Sequence, residues 1–474
     1  MKRIITAYAF VLSAAFLSAC KVSKDVATPK NTLPENFRNA TAVSIADTSS
    51  IADLGWKNFF TDTQLQKLID SAIIKNYDMQ IALKNIDEAQ LLFKQVKWNY
   101  VPVANLNVTA SSSRPSNNSL TGLSLAQYNI GAKHIEDYSA NLGLSWEADI
   151  WGRIRNQSRA ALAQYLQTTE ARKAIQTNIV ASVSQGYYNL LMLDAQLEIA
   201  QKNVKLNDST LRIIKLQYDA GQVTLLAVQQ ADAQRLTASQ LIPQFERDIA
   251  LQENALSVLA GTLPNRIERN NTLTEVSFPQ NLATGVPSAI ISRRPDIRIQ
   301  ELALTVANAN VGITKAEMYP ALRITANGGV NSFKASNWFS VPASLFGLVA
   351  GSVVQPLLQN KILRTQYNVA EVDRERTVLQ FRQSVLNAVG EVSDALVRIE
   401  KLKQQQDTAA NRVKILHQAT NNASLLFKNG LANYLEVITA QSNVLQGELE
   451  LASIKRDELS AVSDLYRSLG GGWK

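Results

Sequence analysis

The sequence predicts a mainly α-helical chain that also carries membrane β-structure: long helical hairpins of coiled-coil character plus four transmembrane strands, arranged as an internal two-fold repeat. Three observations predict it. A helical hydrophobic period is sustained for about sixty residues in each half of the chain. Each half also holds two segments of apolar–polar alternation. The order of these elements, with the glycines that punctuate them, occurs twice.

The chain begins Met1-Lys2-Arg3, followed by an apolar run over residues 4–17. That is the layout of a secretory signal, assigned to residues 1–19, and its apolar core is too short to span a bilayer as a stable helix. It closes on Leu17-Ser18-Ala19-Cys20, where small residues precede the only cysteine in 474 residues. A lone thiol in an exported chain cannot form an internal disulfide. The four residues resemble the lipobox of bacterial lipoproteins, which implies that Cys20 is lipidated and becomes the mature N-terminus. Residues 20–60, rich in Ser, Thr, Asn, Pro and Asp, read as this anchor and an extended N-terminal segment. Past the signal no apolar stretch reaches spanning length, so any membrane crossing falls to strands closed into a barrel.

The first repeat is assigned to residues 61–263. Asp62-Thr63-Gln64 opens a helix, and Leu65, Ile69, Ala72, Asn76 and Ile86 keep its spacing to about Trp98. Pro102 ends it. Ala104, Leu106, Val108 and Ala110 then alternate with polar residues. After a polar loop over 112–137, Leu142, Leu144 and Trp146 alternate again, giving a β-hairpin at about 103–147. The helical period returns from Ile154 to near Gly221, and a second long helix covers 225–260. A non-helical link, 264–287, follows.

The second repeat, 288–474, runs through the same programme. A helix reaches Tyr319-Pro320, a hairpin covers about 321–355 with a loop at 331–342, a long helix spans 362–428, and a last helix follows Gly430. Pro320 lies 218 residues after Pro102, and Gly430 lies 209 after Gly221. The step from turn glycine to terminal glycine is 40 residues in each half, Gly221 to Gly261 and Gly430 to Gly470. Val385, Val389, Val392, Leu396 and Ile399 add a heptad-like seam, the pattern of helices packed side by side in a supercoil.

Four strands leave open edges and cannot enclose a pore, so membrane insertion demands an oligomer. Two copies give an eight-stranded barrel that side chains plug; three give a trimeric, twelve-stranded barrel with room for a lumen. Trp98, Trp146, Trp151 and Trp338 flank the strands beside Tyr100, Tyr138, Tyr319 and Phe339, as aromatic belts do at headgroup level. Net charge falls from +8 to +6 once Lys2 and Arg3 leave with the signal, and no basic–aromatic stripe points to nucleic acid. His134 and His417 are the only histidines. No metalloprotease, phosphate-loop, nucleophile-elbow or paired-cysteine motif is present, so no enzyme, cofactor or metal centre is expected.

Trp146-Glu147-Ala148-Asp149-Ile150-Trp151-Gly152-Arg153, Arg293-Arg294-Pro295-Asp296-Ile297, Tyr319-Pro320 and the tail Leu465-Tyr466-Arg467-Ser468-Leu469-Gly470-Gly471-Gly472-Trp473 stand in this order across the mature chain. With the lipobox and the duplication they resemble the TolC/OprM family of outer-membrane efflux channels, its lipoprotein (NodT-like) branch in particular. The resemblance implies a homotrimer with a long periplasmic α-helical barrel and an equatorial girdle at the link. It further implies a periplasmic adaptor, an inner-membrane pump of RND type, and a passive role as exit duct for small molecules. A type I protein-secretion duct and a pore-less coiled-coil lipoprotein are the alternatives. Lys21, with no Asp after the cysteine, points to the outer rather than the inner membrane. By the same resemblance the helical tips fall at 218–227 and 427–439. Gly221 and Gly430 mark candidate adaptor contacts, and Leu435, Glu436 and Thr439 the candidate periplasmic gate. Thr439 stands where a second acid is common.

Overall fold

A computed structural model describes residues 37–38, 50–127, 134–278, 282–285 and 287–474. The signal, Cys20 and most of the N-terminal segment lie outside the described residues. The chain forms two compact units, each drawn from both halves of the sequence.

One unit contains Glu88–Tyr165 and Leu302–Leu379. Its centre is a four-stranded antiparallel sheet in sequence order: β1 (Val103–Ser113), β2 (Ile135–Ala148), β3 (Ala321–Ser332) and β4 (Leu345–Val354). The two hairpins are joined by β2 and β3, with Leu144 opposite Ala326. Because side chains alternate, the register sorts residues by face. Leu106, Leu142, Gly328 and Gly347 follow one another across one face; Asn107, Asn141, Gly329 and Phe346 follow across the other. The first face is apolar on all four strands, and the second is polar until β4. Every residue of β1 and β4 is exposed.

β2 begins at Ile135, earlier than the alternation from Leu142 suggests. Glu136 and Asp137 disguise the period, but Asp137 sits on the polar face and accepts a hydrogen bond from Asn331 Nδ2 at 2.8 Å. The preceding loop holds a short helix, Leu120–Gln127, started by Ser119, whose hydroxyl accepts from the Gly122 N–H. The joint from β2 into the next helix explains the tryptophan-rich motif. Asp149 accepts from the N–H groups of Ile154 (2.8 Å) and Arg155 (2.9 Å), Gly152 turns the chain at φ +76°, and Glu147 pairs with Arg153 at 3.0 Å. Trp151 stacks on Tyr319 at 4.8 Å and donates to the Pro320 carbonyl. At the far end of the strands Tyr138, Trp338 and Phe339 form a second aromatic group.

The other unit contains Lys30–Asp87, Leu166–Glu301 and Gln380–Lys474. In chain order the remaining helices are α1 (Trp56–Phe59), α2 (Thr63–Lys75), α3 (Tyr77–Lys97), the loop helix α4 (Leu120–Gln127), α5 (Arg153–Asp219), α6 (Leu225–Leu259), α7 (Ile290–Arg293), α8 (Pro295–Ala316), α9 (Ile362–Lys428) and α10 (Tyr434–Ser468). The long pair match in length: 67 residues each for α5 and α9, 35 each for α6 and α10. At the usual rise, the longer helices extend about 100 Å. Among the described residues no helix is long and apolar enough to cross a membrane.

The structure departs from the sequence-based expectation at three places. The stretch expected to be one helix from Asp62 to Trp98 breaks at Asn76, whose side chain caps the new helix at the N–H groups of Asp78 and Met79 and donates to the Leu259 carbonyl. The end of the N-terminal segment is helical at α1 rather than extended, because Phe59 and Phe60 are needed in a core. Phe59 stacks on Tyr466 at 4.1 Å, and Phe278 lies 5.2 Å from Phe59. The buried stripe of α9 is Phe381, Val385, Ala388, Val392 and Ala395. It shares Val385 and Val392 with the expected seam. Ala388 and Ala395 admit close helix approach, and the bulkier Val389, Leu396 and Ile399 stay half-buried.

Arg294 fixes this unit. Its side chain is 6% exposed, meets Asp296 through two nitrogens (3.0 and 2.6 Å), pairs with Glu391 at 2.9 Å and donates to the Ser468 carbonyl at 3.0 Å. It thereby ties the start of α8 to α9 and to the end of α10. Burial alone would raise the Asp296 carboxyl, but Arg294 outweighs it and holds the group below its ordinary range. Arg294→Met removes the cation and leaves two carboxylates around an apolar side chain. A loss of about 3 kcal/mol is expected, read as a lowered apparent Tm in detergent.

Candidate functional site: the paired helical tips

Both long hairpins turn on a left-handed glycine. After α5, Gly221 takes φ +74°; its N–H reaches the Tyr218 carbonyl at 2.8 Å and the Gln222 N–H reaches Gln217 at 2.8 Å. After α9, Gly430 takes φ +72°, with the matching bonds to Phe427 (3.0 Å) and from Leu431 to Leu426 (2.9 Å). These paired bonds satisfy carbonyls that a helix end otherwise leaves open. A Cβ at either glycine would meet nothing within 4 Å, so backbone conformation alone selects glycine there.

The two tips differ in how the next helix starts. Thr224 precedes α6 without a side-chain cap, whereas Asn433 precedes α10 and accepts from the N–H groups of Leu435 (2.9 Å) and Glu436 (3.2 Å). The tips lean on each other. Leu211, Ile214, Ala227, Ala231, Phe427, Val437 and Ile438 form one buried cluster, and the Tyr434 hydroxyl donates to Gln230 Oε1 at 2.8 Å. Further along α10, Gln441 is fully buried and its side-chain amide donates to Thr210 Oγ1 at 2.8 Å, while its Oε1 finds no partner among the described residues.

Leu435, Glu436 and Thr439 come together as exposed residues on one side of α10, opposite the buried Val437, Ile438 and Gln441. Glu436 sits in the first turn, where the helix dipole favours an anion. Among the described residues it makes no ion pair. Gly430 belongs to the same tip, and Gly221 to the neighbouring one. Sequence reasoning missed the Tyr434–Gln230 link and the Asn433 cap. An asparagine one residue before a helix start is a capping signal that was available; the link between tips had none. Among the described residues no three His, Cys, Asp or Glu side chains are grouped to hold a metal ion.

The architecture of very long paired helices with a small antiparallel sheet has counterparts among known proteins. The outer membrane efflux protein family model matches residues 68–262 and 286–471. Among curated proteins, the cation efflux system protein CusC of Escherichia coli O6:H1 is 27% identical over 459 residues, covering 97% of each chain. The probable outer membrane lipoprotein SilC of Salmonella typhimurium is 27% identical over 453 residues, 94% of each. Among solved structures, the open state of the Neisseria gonorrhoeae MtrE outer membrane channel superposes with TM-score 0.85 at 26% identity, covering 96% of this chain and 99% of that one. The chain belongs to the outer membrane efflux protein family, and its place is the outer membrane. The resemblance drawn from the motifs is borne out, and the function it carries is efflux.

The tip geometry makes a graded prediction. Gly430→Ala places a side chain at positive φ in open space and is expected to cost about 1 kcal/mol. Gly261→Ala is also at positive φ, but its Cβ would lie 2.4 Å from the Lys75 carbonyl oxygen, so the loss should be several times larger. Thermal unfolding of the two variants in detergent checks the order.

Proposed function

We propose that this protein is the exit duct of a tripartite efflux system: a homotrimeric, passive channel for small molecules, anchored through lipidated Cys20. It works with a periplasmic adaptor and an inner-membrane pump of RND type. The observation that carries the reading is the sheet. It has one apolar face, one largely polar face and two unpaired edges, β1 and β4. Lipid does not satisfy open backbone groups, and twelve strands from three copies enclose a lumen lined by the polar face. Tyr138 and Trp146 lie on the apolar face eight residues apart along β2, about 26 Å at the strand rise. With barrel strands tilted about 40°, this gives a height of about 20 Å between the two aromatics, close to the lipid-facing band of about 25 Å.

The sequence halves 61–263 and 288–474 serve as quasi-equivalent units around the trimer axis, and the link 264–287 as its girdle. The tips at Gly221 and Gly430 form the periplasmic mouth and meet the adaptor. Leu435 supplies an apolar constriction there. Three Glu436 carboxylates around a narrow axis repel one another and favour cations. Thr439 adds no second acidic ring. Small molecules are the cargo of choice, since a lining for soft metal ions asks for Met and His, and the whole chain holds four Met and two His.

Two measurements test this. Purified lipidated protein in planar bilayers is expected to give stepwise conductance; no conductance under any gating condition, with a delipidated form soluble without detergent, contradicts it. Glu436→Ala is expected to raise conductance or to admit large antibiotics into cells. Unchanged conductance and unchanged sensitivity remove Glu436 from the gate.

A further inference from the structure

The two hairpins have the same internal register. In the first, Val103 faces Ser145; in the second, Ala321 faces Val354. Ala321 lies 218 residues after Val103 and Val354 lies 209 after Ser145, the same two offsets that relate the prolines before the first strands and the turn glycines after the long helices. The hairpins are therefore equivalent residue by residue, and the extra nine residues of the first lie wholly in its loop. The chain also shows how one hairpin joins the next: Gly143 faces Asn327, Leu144 faces Ala326 and Ala148 faces Leu322 across β2 and β3.

We propose that the same junction, carried over by these offsets, closes the barrel between copies: Ser352 of β4 faces Thr109 of β1 in a second copy of this chain. Val353 then faces Val108, and Ala350 faces Ser111. The inference rests on the trimeric reading and goes beyond it by fixing the residues that meet. Alternation of faces permits the ladder to slip only by steps of two, because a one-residue slip sets polar side chains against apolar ones. Ser352 thus has Asn107, Thr109 or Ser111 to choose from, and the repeat selects Thr109. The junction brings Val353 (69% exposed) and Val108 (61%) together on the apolar face. Both are apolar side chains that the single chain leaves uncovered.

Disulfide linkage between copies reads the register directly. A disulfide needs Cβ atoms about 3.8 Å apart. Directly opposed strand residues lie close to this, and diagonal ones lie about 7–8 Å apart. Full-length chains, whose one native cysteine is Cys20, carry Ser352→Cys with Thr109→Cys, or Ala350→Cys with Ser111→Cys. Under mild oxidation both are expected to link copies about tenfold faster than the exchanged combinations, Ser352→Cys with Ser111→Cys and Ala350→Cys with Thr109→Cys. The four variants use the same four substitutions, so a folding defect in one pair is controlled by another. Faster linkage in either exchanged pair overturns the register and leaves the trimer standing. Trimers that link through none of the pairs also overturn it. Particles that contain a single chain and never link overturn the trimeric reading itself.

Discussion

A backbone N–H or carbonyl that faces hydrocarbon without a partner costs several kcal/mol, and this chain has two strand edges full of them. β2 and β3 are paired on both sides, whereas β1 and β4 each have one ladder satisfied and one open. In water such edges invite uncontrolled pairing; in lipid they are untenable. The rest of the unit fits the closure proposed for them. The apolar face is too continuous for solvent, the polar face too continuous for a core, and the large side chains of both outer strands are uncovered. β4 departs most from this sorting, with Phe346 and Leu348 on the otherwise polar side, where Val103 and Ile135 stand only at strand ends.

Duplication supplies the economy of the design, and its exceptions locate where the halves took different duties. The long helices agree in length residue for residue, and all four hairpin ends use glycine at positive φ: Gly221, Gly261, Gly430 and Gly470. The joints from strand to helix differ. The first turns on Gly152, and the second on Asn360 and Lys361, which adopt left-handed φ of 49° and 63°. The tips differ too, since only the second carries the Asn433 cap and the Glu436 charge. The Asn433 cap holds the helix start at Leu435 and Glu436 in place. The cross-packing of Val437 and Ile438 with Ala227 and Ala231 makes the two tips one body.

Much of this was legible in the sequence because it rests on period and punctuation. Helices of 67 residues repeat their apolar spacing many times, so chance matches average out, and the ends at Ile362, Lys428 and Leu225 fall where glycine, proline and spacing place them. Strand existence was equally plain. What failed were features set by tertiary partners. Asn76 fits helical spacing and reads as helix, yet its side chain caps a new one. Glu136 and Asp137 read as loop until β3 is alongside. The buried stripe of α9 runs through Ala388 and Ala395, small residues that periodicity ranks below the adjacent Val389 and Leu396. At the tips, chain position brought Leu435, Glu436, Thr439 and Gly430 together, but the contact between Tyr434 and Gln230 spans 204 residues and left no trace in either segment.

As a third of a closed barrel, the four-stranded sheet calls for three copies of the chain. The mass of the purified particle in detergent, measured by light scattering with the bound detergent subtracted, tests it most directly. Three chains per particle are expected. A particle of one or two chains would contradict it.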